Sequence, residues 1–148
     1  MIVFDLDGVL IDCSVRKQML SSGDISRHEY EVGAACDTDM PINDAVKMVQ
    51  TLCAHYDIMY LTGRRKTAFD ATYERLEELG FPMHQNLIMQ PIGETTIEYK
   101  EQNLSDLVTT TEVVAFVDDS EENREAGKRV GIPVYGTIHE LLRHLKRA

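Results

Sequence analysis

No stretch of this chain comes near the roughly 20 consecutive apolar residues that a membrane-crossing helix needs. Nor does a basic-then-apolar leader stand between Met1 and the first apolar run, Ile2 to Leu6. Both absences predict a cytoplasmic protein with no membrane partner. Cysteine is scarce: Cys13, Cys36 and Cys53 are odd in number and show no C-x-x-C spacing. They read as reduced thiols rather than a disulfide frame, and together with His55 they match no zinc pattern. Basic residues are outnumbered, 15 Lys and Arg against 25 Asp and Glu, for a net charge of −10. That balance weighs against a protein that coats nucleic acid along its length, because such binding runs on counterion release by Lys and Arg. Local contact with a nucleic-acid end stays open. The histidines His28, His55, His84, His139 and His144 form no cluster, and none is assigned a catalytic role.

What is present is enough for one core. A chain of 148 residues, 43% hydrophobic and 27% charged, is the size of a single domain, residues 1–148, able to bury about 70% of its unfolded surface. Short apolar runs at Ile2 to Leu6, Ile58 to Leu61, Leu87 to Met89, Val113 to Val117 and Pro133 to Tyr135 each end in turn or polar residues, the mark of strands. Helical spacing fills the intervals. Asp39 is the expected N-cap, with Pro41 in the first turn, of a helix whose buried face is Ile42, Ala45, Val46, Val49, Leu52 and Cys53. Phe69, Tyr73, Leu76 and Leu79 predict a second helix stopped by Gly80 and Pro82. Further helices are expected over Thr96 to Val108, over Ser120 to Val130, ending at Gly131, and over Ile138 to Lys146. Five strands alternating with helices predict an α/β fold, a parallel sheet covered on both faces.

Ligands of such sheets bind beyond the carboxyl ends of the strands, where strand order reverses. The residues after the strands are therefore the informative ones: Asp5 and Asp7, then Thr62, Gly63 and Arg64, then Asp118 and Asp119. A calcium loop is excluded for DLDG. With Gly8 as the turn glycine, the first and twelfth ligand positions fall on Val3 and Ser14, and an apolar strand stands where an EF-hand needs a helix. An ordinary strand ending would explain Asp5 and Asp7 alone, but not the second acidic pair.

FDLDGV, YLTGR, the lysine of EYKEQNLSDL and FVDDSEEN, in that order, resemble the four motifs of the haloacid dehalogenase superfamily. The resemblance spans nearly the whole chain. It implies a three-layer Rossmann-like core with strand order 5-4-1-2-3, the first strand central. It also implies a magnesium-dependent phosphoryl transfer through an aspartyl-phosphate. On this pattern Asp5 is the nucleophile, Asp7 the acid and base, Thr62 a donor to the phosphoryl group, and Lys100 the motif lysine, with Lys66 the fallback.

Chemistry explains why these residue types are wanted. A phosphomonoester dianion repels a carboxylate, so attack by Asp5 needs a cation between them. Mg2+ takes oxygen ligands and keeps waters, which suits Asp5, the main-chain carbonyl of Asp7 and Asp118, with Asp119 acting through water. Ser120 or Asp119 is also expected to cap the helix that follows, with Glu121 and Glu122 favoured there by its dipole. An acid at position 7 favours hydrolysis over a long-lived phosphoenzyme.

Between Asp12 and Asp39 lies a polar stretch too short for a separate cap domain, and a flap or hairpin is expected over about residues 13–39. The site should therefore be open to the end of a large substrate, unless another subunit of a homo-oligomer closes it. CDTDMPINDAVKMVQTLCAHYDIMYLTGR is similar to the 3'-phosphatase domain of phage-type polynucleotide kinases, although no G-x-x-x-x-G-K-[ST] loop is present for a kinase half. The basic run Arg64, Arg65 and Lys66, with Gly63, is expected to meet substrate phosphate. Expected substrates are phosphomonoesters on nucleotides or nucleic-acid 3' ends. The alternatives are 5'-nucleotides or sugar phosphates, or a catalytically silent binding module of the same fold.

Overall fold

The computed structural model describes residues 1–147. The chain runs through β1 (Ile2–Phe4), β2 (Ile11–Asp12), α1 (Ser14–Ser22), α2 (Arg27–Glu31), a 3-10 turn (Cys36–Thr38), β3 (Met40–Pro41) and α3 (Ala45–Cys53). It continues through β4 (Ile58–Arg65), a second 3-10 turn (Lys66–Ala68), α4 (Phe69–Leu79), β5 (Leu87–Gln90), α5 (Thr96–Thr110), β6 (Ala115–Val117), α6 (Glu121–Val130), β7 (Val134–Tyr135) and α7 (Ile138–Arg147).

Every residue of β1 is buried because helices cover both faces of the sheet. Ile2 and Phe4 point into a cluster with Val49 and Leu52 of α3, Leu76 of α4 and Leu141 of α7. Val3 points the opposite way, to Tyr99 and Leu104 of α5 and to Phe116. This period-two division between two cores fixes the register of the central strand, since a one-residue slip would exchange the two sets of partners. β1 pairs in parallel with β4 on one side and β6 on the other. The main sheet has the order β5-β4-β1-β6-β7. Once the two short strands β2 and β3 are set apart as their own antiparallel pair, this is the five-strand order 5-4-1-2-3 expected of the sheet, counted from the other edge. The chain leaves β1 toward β5, then crosses back to β6, so order reverses at β1 and the functional edge lies at its carboxyl end.

Two local expectations are corrected. The helix expected to start at Asp39 starts at Ala45, with Asp44 as its N-cap in a left-handed conformation (φ 55°). Met40 and Pro41 instead pair with Ile11 and Asp12, and the Ile42 amide donates to the Leu10 carbonyl. Asp39 is buried, and its carboxylate is drawn to two arginines rather than to helix amides. Second, the flap is largely helical. A β2–β3 hairpin forms its root, and α1 and α2 lie between the two strands, α2 carrying a reciprocal capping box of Ser26 and Glu29. α4 and α6 end as expected, at left-handed Gly80 and Gly131. Among the described residues no helix is long and apolar enough to cross a membrane.

Candidate active site

Three acids from two strands meet at the sheet edge. Asp5 follows β1 directly and its amide donates to the Val117 carbonyl of β6, which locks the ends of the two strands together. Asp118 and Asp119 follow β6. One carboxylate oxygen from each of Asp5, Asp118 and Asp119 lies within 4.8 Å of the others. A hard divalent cation fits this all-oxygen set. Gly8 makes the approach of Asp119 possible: its φ is +86°, and a Cβ there would stand 2.2 Å from Asp119 Oδ2. Gly8→Ala is expected to destabilise the fold by about 1–2 kcal/mol through the left-handed backbone, and to weaken binding of a divalent cation about tenfold by displacing Asp119. Urea unfolding and calorimetric titration with magnesium check both; unchanged affinity would separate Asp119 from a cation site.

Lys100 reaches this cluster from α5. It is 1% exposed, with Nζ 2.6 Å from Asp118 Oδ2 and 3.0 Å from Asp5 Oδ1. Its helix is started by Thr95, whose hydroxyl caps the Glu98 amide. Burial works against the ammonium charge, but Asp5 and Asp118 outweigh it and hold Lys100 above the ordinary lysine range. Asp5 is pushed up to about 7, first by burial; Lys100 opposes that, while the negative charges of Asp118 and Asp7 add to it. Three carboxylates around one lysine leave a deficit of positive charge that a divalent cation would correct. Asp118 is fully buried, its other oxygen accepting from the Ser120 amide, and Ser120 in turn caps α6 through the Asn123 amide. The exposed Lys66 lies in the turn after β4 and has no salt bridge among the described residues.

Thr62, Gly63 and Arg64 are expected just beyond the second strand of the sheet, yet β4 continues through them to Arg65. The pairing with β5 jumps from Thr62↔Met89 to Arg65↔Gln90, an irregularity that places two residues outside the ladder and re-aims Arg64. Thr62 is buried, and its Oγ1 accepts from the Arg64 amide at 3.1 Å, leaving the hydroxyl hydrogen to donate elsewhere. Gly63 sits against Thr96, whose Cγ2 would be 3.2 Å from an added Cβ.

Arg64, expected from its sequence position to meet substrate phosphate, is engaged by two acids. Its Nε and Nη2 grip both oxygens of Asp7 at 3.0 and 2.7 Å, and Nη2 also donates to Asp39 at 2.8 Å. Nη1 faces Cys36 Sγ and Thr72 Oγ1. These contacts tie Arg64 to Asp7 and Asp39. Burial pushes the Asp7 carboxyl up, but the charge and hydrogen bonds of Arg64, helped by Arg16, outweigh it and hold Asp7 below the usual carboxylate range. The Asp7 side chain faces Arg64 and lies outside the acidic trio, so its main-chain carbonyl is what it has to offer a metal. Arg65 is half-buried and donates to the Pro91 carbonyl at 3.2 Å.

Asp39 and Arg16 are the residues that sequence reasoning misses. Both are nearly fully buried, with Arg16 Nε 3.7 Å from Asp39 Oδ1. Asp39 carries the ordinary signature of a helix cap, and Arg16 is one cation in a polar flap. Neither has a local mark, because their partners are 25 and 23 positions away in the chain.

A family model described as HAD superfamily, subfamily IIIB (Acid phosphatase), matches residues 1–130. No curated protein matches significantly. Among solved structures, a class C acid phosphatase from Bacillus anthracis with tungstate bound superposes with a TM-score of 0.65 at 20% identity, over 86% of this chain and 60% of that one. A chain of a Pnkp1/Rnl/Hen1 complex gives 0.67 at 16% identity, over 90% and 44%. A haloacid dehalogenase-like hydrolase from Streptococcus pneumoniae gives 0.61 at 14%, over 96% and 89%. The chain thus spans about 60% of the Bacillus anthracis phosphatase, and at these identities the structural likeness establishes the shared fold. With the family match running from the first acidic motif through the second, the chain belongs to the subfamily IIIB acid phosphatases of the HAD superfamily.

Proposed function

We propose that this chain is a magnesium-dependent phosphomonoesterase that works through an aspartyl-phosphate on Asp5 and acts on 3'-phosphates of nucleotides or polynucleotide ends. The observation that carries the reading is Lys100, a buried ammonium held between Asp5 and Asp118 beside a cation-sized gap among three carboxylates. Any buried ammonium needs paired carboxylates; the third acid, Asp119, is the one that a structural ion pair leaves unexplained. Magnesium, bound by Asp5, Asp118, Asp119 and the Asp7 carbonyl, would supply Lewis-acid neutralisation of the phosphate charge.

The side chains then divide the work. An Asp5 oxygen forms a bond to phosphorus as the bond to the leaving oxygen breaks, and Asp7 gives that oxygen its proton. Water next attacks the phosphoryl group, Asp7 takes the water proton, and phosphate leaves with Asp5 restored as carboxylate. Lys100 and the Thr62 hydroxyl donate to the phosphoryl oxygens. Arg64 holds Asp7 ionised at rest, the form that activates water. An arriving phosphate dianion competes for Arg64 and raises Asp7, which takes a proton from solvent and so can give it in the first step. The assignment of 3'-phosphates draws on the lack of a large cap among the described residues, on Arg65 at the mouth, and on the fold shared with a chain of an RNA repair complex.

Turnover of p-nitrophenyl phosphate is expected with magnesium and is expected to vanish in excess EDTA. Among natural esters, kcat/KM should be highest for a 3'-phosphorylated oligonucleotide or a 3'-nucleotide. Full activity in EDTA would exclude the metal. Preference for a 5'-nucleotide or a sugar phosphate would exclude the 3'-end assignment and leave the phosphatase standing.

A further inference from the structure

Beside Asp7 lies a basic cleft of about 220 Å³, walled by the flap, by the end of β4 from Gly63 onward and by Ala68 in the turn after it. Arg27 and Tyr30 come from α2, Arg16 from α1 and Arg65 from β4. In a protein of net charge −10, this gathering of cations calls for an explanation that general solubility does not provide. Arg64 is taken up by Asp7 and Asp39, and Arg16 shares Asp39. Arg27 and Arg65 make no salt bridge among the described residues, and the only further carboxylate on the wall is that of Glu31. Arg16 is 2% exposed, and its Nε faces Asp39 Oδ1 at 3.7 Å, too far for a hydrogen bond.

The geometry points to a subsite for a second phosphate of the same substrate, on the flap side of the reacting centre. This deepens the phosphatase reading above and rests on it. At about 220 Å³ the cleft is below the roughly 300–1,000 Å³ of sites that enclose whole small ligands, so it takes one group of a molecule whose reacting phosphate lies at Asp5. Guanidinium groups match phosphate oxygens in pairs. The Tyr30 ring, with Arg16 Cζ 4.0 Å and Arg27 Cζ 6.0 Å from its centroid, holds both cations at the wall. Tyr30 also accepts from Arg16 Nη1 through its carbonyl, at 3.0 Å, which fixes α2 to α1. The ligand class is a nucleotide with two phosphates: either a nucleoside 3',5'-bisphosphate or a 3'-phosphorylated strand whose next internucleotide phosphate enters the cleft.

Arg27 tests this, because it is exposed and makes no hydrogen bond among the described residues. The probes are p-nitrophenyl phosphate, a nucleoside 3'-monophosphate, a nucleoside 3',5'-bisphosphate and a 3'-phosphorylated dinucleotide. The native chain is expected to prefer a two-phosphate probe over the 3'-monophosphate by about tenfold in kcat/KM. Arg27→Glu should bring that ratio near one, and Arg27→Lys should keep most of it. Preference for the bisphosphate alone identifies a free nucleotide, and preference for the dinucleotide identifies a strand end. Turnover of p-nitrophenyl phosphate with no gain from a second phosphate, or a gain that survives Arg27→Glu, would overturn the subsite and leave the phosphatase intact. Calorimetric binding of the bisphosphate to the Asp5→Asn protein reads the same contrast without turnover. There too Arg27→Glu should weaken binding about tenfold, and equal binding would overturn the subsite even if no ester proved to be hydrolysed.

Discussion

Replacing Asp5 by asparagine is expected to lower turnover of p-nitrophenyl phosphate by at least about 10³-fold, because the amide preserves shape but cannot form the acyl bond to phosphorus. The variant should fold. The main-chain link from residue 5 to the Val117 carbonyl does not depend on the side chain, and asparagine also relieves the site of one of three crowded acids. Far-ultraviolet circular dichroism and a cooperative melt establish the fold, and acid-quenched labelling with a phosphorylated substrate looks for the acyl-phosphate. Native protein should give a base-labile label and Asp5→Asn none. A folded variant that keeps a tenth or more of native turnover would sink the covalent mechanism.

Lys100→Met has the second largest expected effect, and it separates a structural lysine from a functional one. The thioether nearly matches the volume of the lysine stem but leaves Asp5 and Asp118 facing each other without the ammonium that now sits between them. Breaking a buried pair by removing one partner costs about 3–5 kcal/mol, so the variant should be markedly less stable in EDTA. Magnesium should restore part of that stability by taking over the two acids, while activity stays at least about 10²-fold down for want of a donor to the phosphoryl group.

The pH dependence has a definite sign. Asp5 in the folded protein titrates at about 7, above its ordinary value of 3.8, so the folded state holds the proton more tightly than the unfolded chain. The stability this contributes is complete below the ordinary value and is lost as pH rises through about 7. Without Lys100 the folded-state value moves higher still, since the ammonium is the main force lowering it. The deficit of Lys100→Met in EDTA should therefore shrink between pH 8 and pH 5.5. Urea unfolding at those two values measures it. A variant as stable as native at pH 8 in EDTA would show that Lys100 neutralises nothing there.

The sequence by itself determined the α/β class and the placing of Asp5, Asp7, Asp118 and Asp119 at one edge, because strands buried on both faces are short apolar runs that must end at residues able to meet water or a ligand. It also determined the helix stops at Gly80 and Gly131, where a left-handed residue leaves a local mark. Lys100 could be singled out by resemblance, but its burial between two acids is a property of how α5 packs on the sheet. Asp39 shows what only the tertiary structure decided. In the chain it reads as a cap before a proline, and in the fold it gives its carboxylate to Arg16 and Arg64 while the helix starts at Ala45. The contacts of Arg64 were decided the same way: its place after Thr62 suggested substrate, and an irregularity in β4 brings it onto Asp7 and Asp39. Local patterns reflect hydrogen bonds and burial within a few residues. The pairing of buried charges is settled among partners far apart in sequence, where desolvation makes each buried charge find its opposite wherever the fold has brought one.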